Sequence, residues 1–430
     1  MNTRSILIPA LIILAASPAL AANYNVPDDY ATIQAAINAA SLNGDTIQVQ
    51  EDVYYENISL GGKNITLTST DPDDPDVVAG TVINGGGSGT VVTFAGTETD
   101  MCKLVGFTIT GGYTTEFGGG ILGNGALAVV DKCVIRDNTC VKAGGGINGI
   151  NGTISNCLFT GNSALSGGGL GGCQGTITNC MITGNTTQKG SGINNCDGEI
   201  INCTMASNTA SVEGVLRGCD GSFINCIIWG NSPDTFAEHT ASMSYCCWPG
   251  GSSGTGNINA NPLFVNAAGD DYHLQQTSPC IDTATNSLPV VLSADIEGTP
   301  RPLDGDGNGS SINDMGVYEF EPPLYIIVNK ETITFATLYD WPGPGDRYLA
   351  IQNITSEQLD WSITETCDWL DVTPASGSSM GEDDIVILSV NRDGLAAGQY
   401  TCQLTINAPG AANSPKTVTV ILSLRTRVYE

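Results

Sequence analysis

Between Thr153 and Asn231 the apolar and polar positions recur every 23 residues: TISNCLFTGN, TITNCMITGN, EIINCTMASN and SFINCIIWGN align without a gap. Ile154, Ile177, Ile200 and Phe223 form one apolar column. Phe159, Ile182, Met205 and Ile228 form a second, and Ile147, Leu170, Ile193 and Leu216 a third. A fixed period of this kind marks a solenoid, in which each turn buries its apolar side only against its neighbours. Ile177 and Cys180 both stand in apolar columns although they are three apart. Two-residue alternation forbids that, so the chain bends between them, at Asn179. Short strands separated by bends, three to a rung, predict a right-handed parallel β-helix.

The pattern changes on either side. Upstream, Ile33, Ala36, Ile37 and Ala40 recur at helical spacing, with Asp28, Asp29 and Thr32 as N-terminal caps and Asn43-Gly44 as a stop. A short amphipathic helix here, before a strand at Thr46–Val49, would cover the open end of the first rung. Residues 58–101 give looser rungs, with Asp71–Asp76 as a solvated excursion. Cys102 to Cys133 spans 31 residues and Cys133 to Cys157 spans 24, before the period settles at 23. Past Asn231 the period fails. From 324 to 424, seven alternating runs with turn signals between them predict a β-sandwich of immunoglobulin type. The expected domains are a signal segment at 1–22, the β-helix with its caps at 23–323, and the sandwich at 324–430.

Fifteen cysteines occur in the chain. Cys102, Cys133, Cys157, Cys180, Cys203 and Cys226 share one column. Cys173, Cys196 and Cys219 share another, whose earlier member is Ile150, so the position is an inward apolar one. Stacked strands lie about 4.8 Å apart with parallel Cβ vectors, wider than a disulfide favours. Reduced, stacked thiols are therefore expected, with bridges inside a rung (Cys173–Cys180, Cys196–Cys203, Cys219–Cys226) as the alternative. The stacked Asn156, Asn179, Asn202 and Asn225 can hydrogen-bond along their column, and the Gly144–Gly146 and Gly167–Gly169 runs mark a close backbone approach. No CxxC occurs and histidines number two, which argues against zinc.

Arg4, the apolar run Ile6–Ala16 and the small residues 17–22 read as a secretory signal, giving an extracellular or cell-surface protein without a membrane span in the mature chain. The net charge is −29, yet residues 102–231 hold seven acids against six bases, so the acidity lies in the flanks. Such a field repels nucleic acid and favours divalent cations.

The opening residues resemble pectate-lyase-like and pectin-methylesterase-like right-handed β-helix proteins. Thr32-Ile33-Gln34, Ala36-Ile37, Gly44-Asp45-Thr46-Ile47, Val49 and Tyr55-Glu56 carry that likeness, with Asp52 where the family has Gly. Residues 45–245, with GGGI, I-x-N-C and G-N, look like secreted polymorphic-type surface repeats. Pro262–Val265, Asp271–Leu274, Ser278–Asp282, Asp295, Gly298, Pro300-Arg301 and Asp314–Glu319 resemble the closing region of exported bacterial β-helix proteins. Cys367-Asp-Trp369 through Gly377, IVILSVN and GQYTCQLTI resemble BACON-type sandwich domains. That resemblance implies attachment to carbohydrate-active proteins and carbohydrate or mucin binding, or a spacer role. Cys367 and Cys402 either pair across the sheets or stay as buried thiols.

Asp304, Asp306 and Asn308 have the oxygen spacing of a calcium loop, with Asp314 as a further ligand one residue before the usual acid position, where Met315 stands. Gln174, Asp197 and Asp220 form an outward column. Two stacked carboxylates there, with Lys189 and Arg217 as the nearby bases, are the candidate acid/base group of a polysaccharide lyase or hydrolase. His239 and His273 read as structural, and Trp361 and Trp369 as sandwich core. Trp341, in a Pro/Gly loop, is the candidate for stacking on a sugar ring. The reading is a monomeric polysaccharide-binding protein or adhesin directed at a polysaccharide or a cell-surface glycan, with no assembled catalytic cluster. A lyase or hydrolase and a cell-surface spacer are the alternatives.

Overall fold

The computed structural model describes residues 21–426 except 42, 235, 238, 252, 307, 340, 341, 354, 356 and 357. Residues 1–20 of the expected 1–22 signal segment, and Trp341, thus lie outside the described residues. The chain divides into two compact units, between Asn259 and Ala260.

The first unit is a parallel β-solenoid. A ten-stranded sheet runs from Asn23–Val26 to Ser242–Ser244, and two eight-stranded sheets complete the three walls. Register follows the sequence period: Ile154 pairs with Ile177, Ile177 with Ile200, and Ile200 with Phe223. The other two columns stack likewise, Phe159 on Ile182 and Leu170 on Ile193, and all these side chains are buried. Each removes from water an area worth roughly 1.5–3 kcal/mol. The bend falls where alternation required it: Asn156, Asn179, Asn202 and Asn225 have φ of 51°, 49°, 52° and 57°, in the left-handed region that Asn tolerates.

A second amide column holds the next corner. Asn185 donates its side-chain N–H to the carbonyls of Phe159 and Thr183 and to Asn208 Oδ1, while its own Oδ1 accepts from the Asn162 backbone and side chain, all within 3.0 Å. Asn138, Asn162, Asn208 and Asn231 continue the column. Each of these rungs thereby satisfies corner groups of its neighbour, which would otherwise be buried unpaired. The glycine run is required by proximity, since a Cβ on Gly145 would lie 2.6 Å from the Gly168 carbonyl oxygen. The cysteines stack as thiols: the N–H of Cys180 reaches Cys203 Sγ at 3.4 Å, and Cys173 meets Cys196 in the same way. Thirteen cysteines are free and buried.

A helix at Ile33–Ala39 covers the first rung, with Thr32 as N-cap and Ile33, Ala36 and Ile37 buried. Two acids of the opening motif fasten it. Glu56 accepts the first helical amides, Ile33 and Gln34, at 2.8 and 2.9 Å. Buried Asp45 accepts from Ala22 and Ser41. The acidic excursion ends in a second short helix, Pro75–Gly80, because Asp74 caps it and Pro75 opens it.

Within the second unit, Phe264–Asn266 and Asp271–Leu274 form a two-stranded antiparallel sheet, and the chain from there to Glu321 is irregular. The sandwich follows as sheets of four and five strands. Leu370–Thr373 and Ser376–Ser379 add two short strands to the seven runs seen in the sequence. Trp361 and Trp369 are core, and Trp361 donates to Asp384 at 2.6 Å. Cys367 and Cys402 form a disulfide, resolving the two alternatives. No helix among the described residues is long and apolar enough to cross a membrane.

Candidate functional site

Five consecutive rungs carry a fourth strand, and these strands form a separate five-stranded sheet from Tyr113–Thr114 to Thr209–Ala210. Tyr113, Thr139, Ser163, Thr186 and Thr209 are in register across it, and all are partly or fully exposed. Cys140, Thr187 and Ala210, at the next position, are less exposed. The result is a hydroxyl-lined strip repeating at the rung spacing of about 4.8 Å. Its first rung adds large exposed side chains: Tyr113 is 50% and Phe117 41% exposed. Lys142 pairs with Glu116 and lies over the Phe117 ring, 5.0 Å from its centroid. The Tyr113–Gly119 loop matches Thr139–Gly145 in length, and the extra length of this rung falls in Ile121–Ala126, where the register shifts against Ile147–Ile150.

The strip ends at a charged corner. Lys189, the last residue of its strand Thr186–Lys189, meets Glu213 at 2.9 Å, and Arg217 meets the same carboxylate. The Lys189 hydrogen bond, aided by Arg217, holds Glu213 below the usual carboxylate range. Arg217 also donates to Asn194 at 3.2 Å. The bases therefore converge on Glu213. The Asp197–Asp220 column does different work: Asp197 accepts the Asp220 amide at 3.0 Å, and Asp220 accepts the amide and hydroxyl of Thr240. These hydrogen bonds lower the Asp220 pKa, the reverse of what a shared proton needs. Gln174 uses its backbone N–H on Asn151 in the same fashion. The column caps turns along the stack.

In the second unit the acids of the closing motif are mostly buried connectors. Asp295 accepts from Glu297, Thr299 and Glu319. Arg301 donates to the carbonyls of Asp314 and Gly316 and lies 3.5 Å from Glu319, both side chains being sealed from solvent. Asp314 accepts the amides of Asp282 and Phe320 at 2.7 and 2.6 Å. Burial, then repulsion from Glu319, raises its pKa. Asp314 is thus spent on backbone amides, and the carboxylate that joins Asp304 and Asp306 is Asp282. Nothing in the loop spacing distinguishes the two acids, because Asp282 arrives from a different segment. His273 stacks on Tyr318 at 4.0 Å and bridges Asp271 and Glu297. His239 packs edge-on against Phe236.

Comparison with known proteins reaches only the sandwich by sequence: residues 332–424 match the family described as the viral BACON domain. No curated protein sequence matches the chain. Among solved structures, the periplasmic chaperone SfaE is similar at 9% identity and a TM-score of 0.21, over 24% of this chain and 60% of its own. A Bacteroides ovatus GH5 xyloglucanase bound to a XXXG heptasaccharide gives 17% identity and 0.19, over 25% of this chain and 20% of its own. A PapD-like domain of human CEP192 gives 18% and 0.20, over 28% of this chain and 99% of its own.

Proposed function

We propose that the protein is an exported polysaccharide-binding scaffold, and that the outward face of the five-stranded sheet is its glycan surface. The observation that carries this reading is the in-register column Tyr113–Thr139–Ser163–Thr186–Thr209 beside the exposed Phe117 ring. A rung spacing of about 4.8 Å is close to the advance of one sugar along an extended polysaccharide, so successive hydroxyls can meet successive rings. Tyr113 and Phe117 supply apolar faces for stacking. The BACON match at 332–424 supports a carbohydrate-related role for the second unit. Export rests on the signal-like residues 1–22.

The lyase or hydrolase alternative needs a base beside a carboxylate-bearing sugar. Lys189 and Arg217 are engaged with Glu213, and Asp197 and Asp220 with backbone amides, so binding without cleavage is the favoured reading. The test is affinity electrophoresis of the full chain through neutral and uronate-containing polysaccharides, with Tyr113→Ala and Phe117→Ala beside the wild type. Retardation by at least one glycan, weakened in both variants, is expected. No retardation overturns the proposal, and release of unsaturated uronides replaces it with the lyase.

A further inference from the structure

The loop at Asp304–Gly309 folds on its own carboxylates. The Asn308 amide donates to Asp304 Oδ1 and Asp306 Oδ1, each at 3.0 Å, and the Gly309 amide donates to Asp304 Oδ2 at 2.8 Å. Asp282, 24 residues before Asp306, enters the same space, its Oδ2 accepting the Asp306 amide at 2.7 Å. One carboxylate oxygen from each of Asp282, Asp304 and Asp306 lies within 4.8 Å of the other two.

Asp282 makes this more than an acidic turn. It is 9% exposed, and its Oδ1 is shut off from solvent with no hydrogen bond among the described residues. The Ile312 amide approaches the Asp282 carboxylate and also donates to the Leu303 carbonyl, at 3.1 Å. Asp314 fixes the Asp282 backbone by accepting its amide, and Asp282 itself has φ of 52°, so the carboxylate is held where it is. No ion pair among the described residues includes any of the three acids. Three carboxylates converge with no cation among the described residues, and one keeps a buried oxygen unused, an expensive arrangement unless something positive completes it.

We propose that Asp282, Asp304 and Asp306 form a calcium site that ties the Ser278–Asp282 segment to the 304–309 loop. All the donors are hard oxygens, which excludes zinc and soft metals as the natural occupant. Calcium accepts the flexible, irregular oxygen sets that loops supply, whereas magnesium demands near-ideal octahedral geometry. Asn308 shapes the loop, donating its side-chain N–H to Asp306 Oδ2 and accepting from Ser310, each at 2.9 Å. Asp314 is a positioning residue behind Asp282. The ion joins two irregular segments that share no strand.

The experiment is calorimetric titration of the full chain, first stripped with chelator, using calcium chloride and then magnesium chloride, without any glycan. One calcium per chain is expected, with magnesium weaker. Asp306→Asn, at an exposed side chain, should weaken calcium by about tenfold or more through the lost charge. Asp282→Asn should abolish binding, and the Asp306 variant keeps the test decisive if Asp282→Asn does not fold. Absence of binding heat in the wild type, wild-type affinity in Asp306→Asn, or magnesium as tight as calcium each overturns the assignment.

Discussion

The two units solve the same problem in opposite ways. In the rungs, each corner is satisfied by the identical residue of the next rung: Asn162 by Asn185, Asn185 by Asn208, Asn208 by Asn231. From Ser278 to Phe320 no neighbour repeats, and buried carboxylates serve instead: Asp295, Asp314 and Glu319 each accept backbone amides from distant positions. A repeat lets neutral amides pair along a column without importing charge. An aperiodic segment has no such partner, and uses acceptors that take several N–H groups at once. The cost is concentrated charge, which explains why Arg301 is buried beside Glu319 and why three further acids meet with no ion pair among the described residues.

Breaking the charged network is the severest test of that contrast. Arg301→Met leaves Glu319 buried without its counter-ion, and a loss of about 3–5 kcal/mol is expected from denaturant unfolding of the second unit. Cysteine behaviour should also divide by unit. Denatured protein should show thirteen reactive thiols and fifteen after reduction, because only Cys367–Cys402 is bridged. Removing that bridge by a double Cys→Ala change should cost about 2–4 kcal/mol. Six or more thiols missing before reduction would instead mean bridges within the rungs. In the solenoid, Asn185→Ala orphans the Asn162 amide and the Phe159 carbonyl. A loss of about 1–3 kcal/mol per orphaned group is expected, read as a lower denaturation midpoint.

The smallest effect concerns His273. Burial opposes its charge, but hydrogen bonds to Asp271 and Glu297 outweigh that and raise its pKa above the ordinary value. A raised folded pKa gives stability that is complete below the unfolded value of about 6.5 and fades as pH rises through the folded one. His273→Gln should therefore lower the melting temperature more in mildly acidic than in alkaline buffer. An equal loss at both would assign the residue to packing on Tyr318 alone.

The sequence by itself determined the solenoid, its register and the bend at Asn179, because a 23-residue period repeats every constraint and leaves one solution. It also placed the capping helix and, from Cys133 onward, the thiol columns, through helical spacing and the Ile150 substitution; Cys102 stands one strand earlier in its rung, and Phe107 takes the position that matches Cys133. The fourth strand was hidden, because Thr139-Cys140 and Thr209-Ala210 carry no alternation of their own and become strands only when stacked. Tyr113 and Phe117 went unmarked for the same reason. Charge partners were the least legible: Glu213 drew Lys189 and Arg217 away from Asp197 and Asp220, and Asp282 rather than Asp314 joined Asp304 and Asp306. Long-range pairing of acids depends on where aperiodic segments return in space, and local spacing holds no record of that. Only the tertiary structure decided it.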